Sequence, residues 1–305
     1  MSILRKLGSM LGSQRLFEFF QKLGIHVTPN HFFSPIPDTS ILAARRALWE
    51  EELELVGIDL NINEQLHFLD HVFPLFINEC NFPLDKTPVA HEYYVKNGSF
   101  GLVSAAVLHC MIRHFAPRVI IEVGSGFSTY VGARASLKNK TDGQATRFIA
   151  IEPHPHSVLE KGFPGLSQLI PKNVEEVPID FFAQLEEGDI LFIDSSHVVR
   201  MGGDVIFLYL EILPRLKKGV IVHIHDIFFP KNYPEDWVIQ QRRFWNEQYL
   251  LQAFLTFNER FKILWSGSYL YLKHKDKLIS AFPPPEDLGL HEDYFSSSFW
   301  MKRIT

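Results

Sequence analysis

EVGSGFST, Glu122–Thr129, is the stretch on which the reading of this chain turns. It follows a short β-branched apolar run, RVIIEV (Arg118–Val123), and opens a segment with helical spacing from Ser128 to about Leu137. Gly124 and Gly126 let the backbone turn sharply and approach a ligand with no Cβ in the way. The helix beyond them offers unpaired N–H groups to an anion, and Ser128 or Thr129 can cap it. Strand, glycine turn and helix in that order begin a strand–helix–strand unit.

The same texture continues outward. RFIAIE (Arg147–Glu152), DILFID (Asp189–Asp194) and GVIVHIHD (Gly219–Asp226) are further strand patterns. Helical patterns run from Asp204 to Leu216 and from about Glu235 to Phe257. FKILWSGSYLYLK (Phe261–Lys273) has two apolar runs about a Gly-Ser turn and predicts a closing hairpin. Alternating helices and buried strands predict an α/β fold with a doubly wound, mostly parallel sheet. Before it, residues 1–90 predict a helical extension or lid, broken at HVTPNHFFSPIPDT (His26–Thr39), where Pro29, Pro35 and Pro37 forbid a continuous helix. The expected organisation is that extension, a core domain over 91–275, and an irregular tail over 276–305.

Composition narrows the partners. With 46% hydrophobic residues, 21% charged and a net charge of -5, the chain is globular and offers no basic surface for nucleic acid. Cys80 and Cys110 form no CxxC pair, which excludes a zinc knuckle or a disulfide framework and suits a reducing cytoplasm. No run approaches the roughly 20 apolar residues of a membrane span. Ile3, Leu4, Leu7, Met10 and Leu11 fall at helical spacing among Arg5, Lys6 and Arg15. Packing on the chain's own domain or on a second copy, in a homo-oligomer, is the expectation for this segment. A membrane-surface helix or a targeting peptide is the alternative.

In sheets of this kind ligands bind beyond the carboxyl ends of the strands, which singles out Glu122, Glu152, Asp194, His225 and Asp226. A dinucleotide fingerprint requires Gly or Ala where Thr129 stands. An acid two residues before the first glycine instead fits S-adenosylmethionine, with Glu122 accepting from its ammonium end and Glu152 taking the ribose hydroxyls. The Gly124, Ser125 and Gly126 backbone would then lie against the ligand.

EVGSGFST, IEPHP (Ile151–Pro155), DILFIDSSH (Asp189–His197) and GVIVHIHDIF (Gly219–Phe228) resemble the class I S-adenosylmethionine-dependent methyltransferases, in the branch grouped as methyltransferase family 24. The resemblance spans Tyr93 to Lys273, and HVTPNHFFSPIPD is similar to that branch's N-terminal segment. It implies a Rossmann-like sheet of seven strands, a small-molecule acceptor, and an adenine contact at Asp180, for which a helix N-cap is the equal alternative. It also implies that Tyr94, Asn97 and Phe100 close over the cofactor and that His31, Phe32 and Phe33 belong to a substrate lid. Ser128 stands where many relatives carry a third glycine.

Asp194, His197, His225 and Asp226 lie at the ends of neighbouring strands about 4.8 Å apart and can converge, provided the chain turns at Asp226. The set is similar to that of the metal-dependent macrolide-sugar O-methyltransferases. Carried over by position, Asp194, His225 and Asp226 are metal ligands and His197 is the base, Asp194 serving in both site and catalysis. The implied ion is magnesium or manganese, and His225 departs from the family's acid there. His223, deeper in its strand, is expected in the core. Two other readings stand beside this one: a two-histidine, one-carboxylate iron oxygenase, and a non-catalytic binding module on the same fold.

Overall fold

The computed structural model describes residues 14–286 and 296–305, so the segment Ile3–Leu11 singled out above lies outside the described residues. The chain divides into two compact units. The smaller comprises residues up to Glu51 with Pro234–Phe244, and the larger Glu52–Tyr233 with Trp245–Thr305. Residues 52–90, expected in an extension, therefore belong to the larger unit.

In the smaller unit, helices Gln14–Lys22, Thr39–Ala43 and Arg46–Glu50 contain no buried residue. Asp38 caps the second, accepting from the N–H groups of Ser40 and Ile41 at 3.0 and 3.2 Å. Phe32 and Phe33 are exposed on this unit.

The larger unit is built on seven strands: β1 (Val119–Val123), β2 (Arg147–Ile151), β3 (Gln168–Ile170), β4 (Ile190–Ile193), β5 (Ile221–Ile224), β6 (Phe261–Ser266) and β7 (Phe299–Arg303). Their order is β3-β2-β1-β4-β5-β7-β6, with β1 to β5 parallel and β7 antiparallel to both neighbours. Every residue of β1, β4 and β5 is buried. Their apolar runs are continuous because helices cover both faces. Leu102–Phe115 and Phe127–Thr141 cover one face, and the helical stretch Asp204–Arg215 with Glu247–Leu255 covers the other. β1 has β2 on one side and β4 on the other, so the crossover direction reverses there and a crevice opens beyond the strand ends.

Three expectations change. The second half of the predicted hairpin is a helix, Gly267–Lys273, and β6 pairs with β7 instead. The predicted irregular tail thus supplies an inner strand, in which Phe299, Trp300 and Met301 are fully buried. Its five residues show no alternation, being buried at all but Lys302. The long helix expected from Glu235 to Phe257 is two, Glu235–Ile239 and Glu247–Leu255. The break starts the second helix at Glu247, against the site. The parallel, doubly wound character and the antiparallel last strands are as expected.

His223 does lie in the core, stacked between Phe192 at 4.0 Å and Trp300 at 4.1 Å. Burial holds its pKa well below the ordinary value, so the ring is neutral. Because Trp300 sits in this stack and inside the sheet, Trp300→Ala should destabilise by about 3–5 kcal/mol, read as a lower denaturant midpoint.

Candidate active site

Beyond the ends of β1, β2 and β4 lies a cavity of about 550 Å³, lined among others by Tyr94, Phe100, the Gly124–Ser128 loop, Glu152 and Asp194. Gly124 has φ +81°, and a Cβ there would stand 1.8 Å from the carbonyl oxygen of Asp194. Glycine is required at this position on both counts. Gly126 donates its N–H to Thr129 Oγ1 at 3.0 Å, so Thr129 caps the helix that begins at Phe127.

The acids at the strand ends differ in role. Glu152 lines the cavity and is half-buried. Its two oxygens accept from the N–H groups of Ser125 (3.1 Å) and His154 (2.8 Å), which fixes the carboxylate and leaves lone pairs facing the cavity. Glu122, expected to touch the ligand, does not line the cavity. It is fully buried behind the loop, and its oxygens accept from Ser128 Oγ (2.7 Å) and Thr129 Oγ1 (2.6 Å). Burial pushes its pKa up to about 8 against those hydroxyls, helped by the charges of Asp194 and Glu152. Ser128, in place of a third glycine, thus ties the helix to β1. The Ser125 hydroxyl is buried at the cavity with no hydrogen-bond partner among the described residues. A ligand with polar groups in this cavity would satisfy both it and Glu152.

Asp180 is exposed in the short 3-10 helix Ile179–Gln184 and is not brought to the cavity wall. The segment before β1 does reach it. Asn97 acts there as a turn residue: its Oδ1 accepts from the N–H groups of Ser99 and Phe100, both at 2.8 Å, and its Nδ2 donates to the Phe100 carbonyl. Tyr94 and Phe100 are thereby presented to the cavity.

Beside Phe100, four polar side chains meet. Asp194 follows β4, and Asp226 takes a left-handed turn (φ +56°) two residues after β5 ends, which brings it to the same side as His225. His197 Nε2 is 3.3 Å from Asp194 Oδ1 and 3.6 Å from Asp226 Oδ2. His225 Nδ1 is 3.6 Å from Asp194 Oδ1 and 3.4 Å from Asp226 Oδ1. Two carboxylates therefore lie between two imidazoles.

Both rings are held. His197 Nδ1 is 2.8 Å from Oε2 of the fully buried Glu247, its carbonyl accepts from the N–H groups of Asn246 and Glu247, and Trp245 packs on the ring at 4.4 Å. These contacts sustain the left-handed backbone of His197 (φ +59°), which costs free energy in a non-glycine residue. His225 packs on Phe100 at 4.7 Å, and Ser297 Oγ lies 3.4 Å from its Nε2 while donating to Asp226 at 2.9 Å. Burial works against charge on His197, but hydrogen bonds to Asp194 and Glu247 and the charges of Glu247 and Asp226 hold its pKa well above the ordinary value. For Asp194 burial is likewise outweighed, by the His225 charge and the hydrogen bond to His197, and its carboxyl stays far below the usual range.

Asp194, His197 and Asp226 each present a donor atom, all within 4.8 Å of one another, a group that could hold a metal ion. Neighbouring ligands on an ion with bonds of about 2.1 Å are separated by about 3 Å, so 3.3 and 3.6 Å need only small adjustments. The carried-over ligand set named His225 and kept His197 as base; the grouped donors contain His197, while His225 Nδ1 lies equally close to the two carboxylates. Glu247, by taking Nδ1 of His197, leaves its Nε2 aimed at the carboxylates. Glu247 and Ser297 were missed from the sequence. They lie 50 residues from His197 and 71 from Asp226, and no motif marks them.

A family model described as a methyltransferase domain matches residues 121–227. An uncharacterized protein of Archaeoglobus fulgidus is 32% identical in an alignment of 182 positions that covers 56% of this chain and 78% of that protein. Among solved structures, the chain is similar to a putative methyltransferase from Thermobifida fusca, at 11% identity and a TM-score of 0.41, over 66% of this chain and 82% of that one. It is also similar to an O-methyltransferase from Bacillus cereus in complex with S-adenosylhomocysteine (SAH), at 15% identity and a TM-score of 0.36, over 80% of this chain and 97% of that one.

Gly124→Ala should lower SAH affinity by at least about tenfold in calorimetry, since strain at this φ and the clash with the Asp194 carbonyl both fall on the cavity wall. Glu122 gives a pH signature. Its pKa rises from 4.5 to about 8 on folding, so the folded state binds the extra proton. The associated stability is full below pH 4.5 and is lost as pH rises through about 8. In Glu122→Gln this loss disappears: the melting temperature of the variant relative to the parent should climb between pH 5 and 9. A flat difference would refute the burial of an acid with a raised pKa.

Proposed function

The chain belongs to the class I S-adenosylmethionine-dependent methyltransferases of the family-24 group, and we propose that it methylates a hydroxyl oxygen of a small acceptor, a sugar or a natural product, with help from a divalent ion. The observation that carries this reading is the meeting of Asp194, His197, His225 and Asp226 next to the cofactor cavity, with Asp194 belonging to both. Methyl transfer from a sulfonium needs little activation of the leaving group. What it needs is a nucleophile placed in line and relieved of its proton. Two carboxylates and two imidazoles at the methyl end of the cavity suit a hydroxyl, whose proton is otherwise held too tightly for attack at neutral pH.

The roles follow from the contacts. The Gly124–Gly126 backbone and the Ser125 hydroxyl hold the amino-acid part of the cofactor, and Glu152 holds the ribose. Glu122 acts behind them by fixing Ser128 and Thr129. Asp194, Asp226 and His197 would hold the ion, which when bound lowers the pKa of a coordinated hydroxyl. In its neutral form His225, whose Nδ1 faces both carboxylates, accepts the acceptor's proton as the oxygen attacks the methyl carbon and the S–CH3 bond breaks to give SAH. Against burial, the charges of Asp226 and Asp194 favour the protonated ring at rest, so it must first lose that proton. Phe100 and Trp245 pack on the two imidazoles and exclude water from them. The methyltransferase-domain match over residues 121–227 supports methyl transfer over oxygen chemistry at the same histidines. Among the described residues no helix is long and apolar enough to cross a membrane. The two free cysteines suit a reducing cytoplasm, where we place the protein.

Thermal melting tests the reading. SAH at about 100 times its Kd should stabilise by roughly 2.7 kcal/mol, and manganese or magnesium should enlarge the shift where EDTA reduces it. His225→Ala should keep the SAH shift while transfer of a labelled methyl group to a panel of hydroxylated sugars falls by about 10²–10⁴. A shift with SAH that no ion changes would reduce the carboxylates to acceptor-positioning groups.

A further inference from the structure

We propose that the ion seat of this protein selects a first-row transition ion, manganese, iron or cobalt, over magnesium, because its donors are two carboxylates and fixed imidazole nitrogen. The inference rests on the metal-assisted reading of the site and adds the identity of the ion.

Oxygen donors are scarce around the seat. Asp194 and Asp226 are the two carboxylates that face it. Glu247 is turned away, with Oε2 taken by His197 Nδ1. Glu122 spends its oxygens on Ser128 and Thr129, and Glu152 follows β2, two strands away from β4 and Asp194. An ion between the two aspartates therefore meets His197 Nε2, 3.3 and 3.6 Å from the carboxylate oxygens, with His225 Nδ1, at 3.6 and 3.4 Å, left to take the acceptor's proton.

A magnesium ion could still bind if the rings swung away and let water fill the vacated positions, since it demands oxygen in a near-ideal octahedron. Neither ring is free to do so. His197 is pinned at Nδ1 by Glu247, at its carbonyl by two N–H groups, and on its face by Trp245. Moving it would strand the Glu247 carboxylate, which is fully buried, without its partner. His225 is wedged against Phe100 and the Ser297 hydroxyl. A rigid imidazole at the seat favours ions that accept nitrogen and penalises one that does not. The outer contacts of Glu247 and Ser297 are the kind that orient metal-bound histidine and carboxylate.

The test uses the full chain, freed of metal by EDTA and dialysis, titrated calorimetrically with manganese, cobalt and magnesium chlorides separately, and with SAH in parallel. The expected result is manganese and cobalt binding at least about tenfold tighter than magnesium, with ¹⁴N modulation in the pulsed electron paramagnetic resonance of the manganese protein. In His197→Asp the preference for cobalt over magnesium should shrink. The unaltered protein's nitrogen signal decides the matter should that variant fail to fold. Magnesium binding as tightly as manganese, or manganese bound without nitrogen modulation, overturns the inference. So does the absence of any ion binding, which also removes metal assistance. SAH binding measured in the same samples reports separately on the methyltransferase reading, so its failure is told apart from failure of the ion preference.

Discussion

The close approach of Gly124 to the carbonyl of Asp194 is the constraint on which the rest of the site depends. β1 and β4 are neighbours in the sheet, and the Asp194 N–H donates to the Val123 carbonyl at 2.9 Å. One residue further on, the backbone of β1 must turn back in a space that no Cβ can share. That contact joins two functions. It shapes the loop that lines the cavity, and it sets where the Asp194 side chain leaves its strand. Because Asp194 both lines the cavity and faces His197 and His225, the cavity and the polar cluster share one wall at the ends of β1, β4 and β5.

Charge is distributed around this contact with evident economy. Glu122 is sealed behind the glycine loop and, with its pKa near 8, serves as a hydrogen-bonding anchor more than as a charge. Glu152 keeps an open face toward the cavity. Asp194, by contrast, is held ionised by the imidazoles beside it. Acids at equivalent strand ends thus do different chemistry because their surroundings differ: burial dominates at Glu122, whereas neighbouring cations dominate at Asp194. The buried Glu247 extends the same logic one layer outward by choosing which nitrogen of His197 faces the seat.

Much of this was legible in the sequence, and the reasons are local. VIIEV, ILFI and IVHI announce strands covered on both faces, because a strand in a parallel sheet has no polar side to show. The spacing of Glu122, Gly124 and Gly126 is local too, since a turn is specified by the residues within it. Alternation puts His223 and His225 on one face, depth along the strand separates them, and Asp226 joins His225 only through a turn, the condition the fold then met. Asp180 was placed against the ligand by resemblance and Glu122 by its spacing from the glycines, and in the structure one is exposed and the other sealed from the cavity. Position along a motif does not carry depth.

What the sequence determined by itself was the succession of elements and the chemical character of the strand ends, because periodicity and turn chemistry act over a few residues. What only the tertiary structure decided was which distant groups complete the site. The strand Phe299–Arg303 inserts between β5 and β6 and brings Ser297 to Asp226. The break before Glu247 starts a helix whose first residues clamp His197. Those contacts join residues 50 and 71 positions apart, and they form only because burying two faces of one sheet forces those segments together. No local pattern encodes that proximity, since the free energy that creates it belongs to the packed core as a whole.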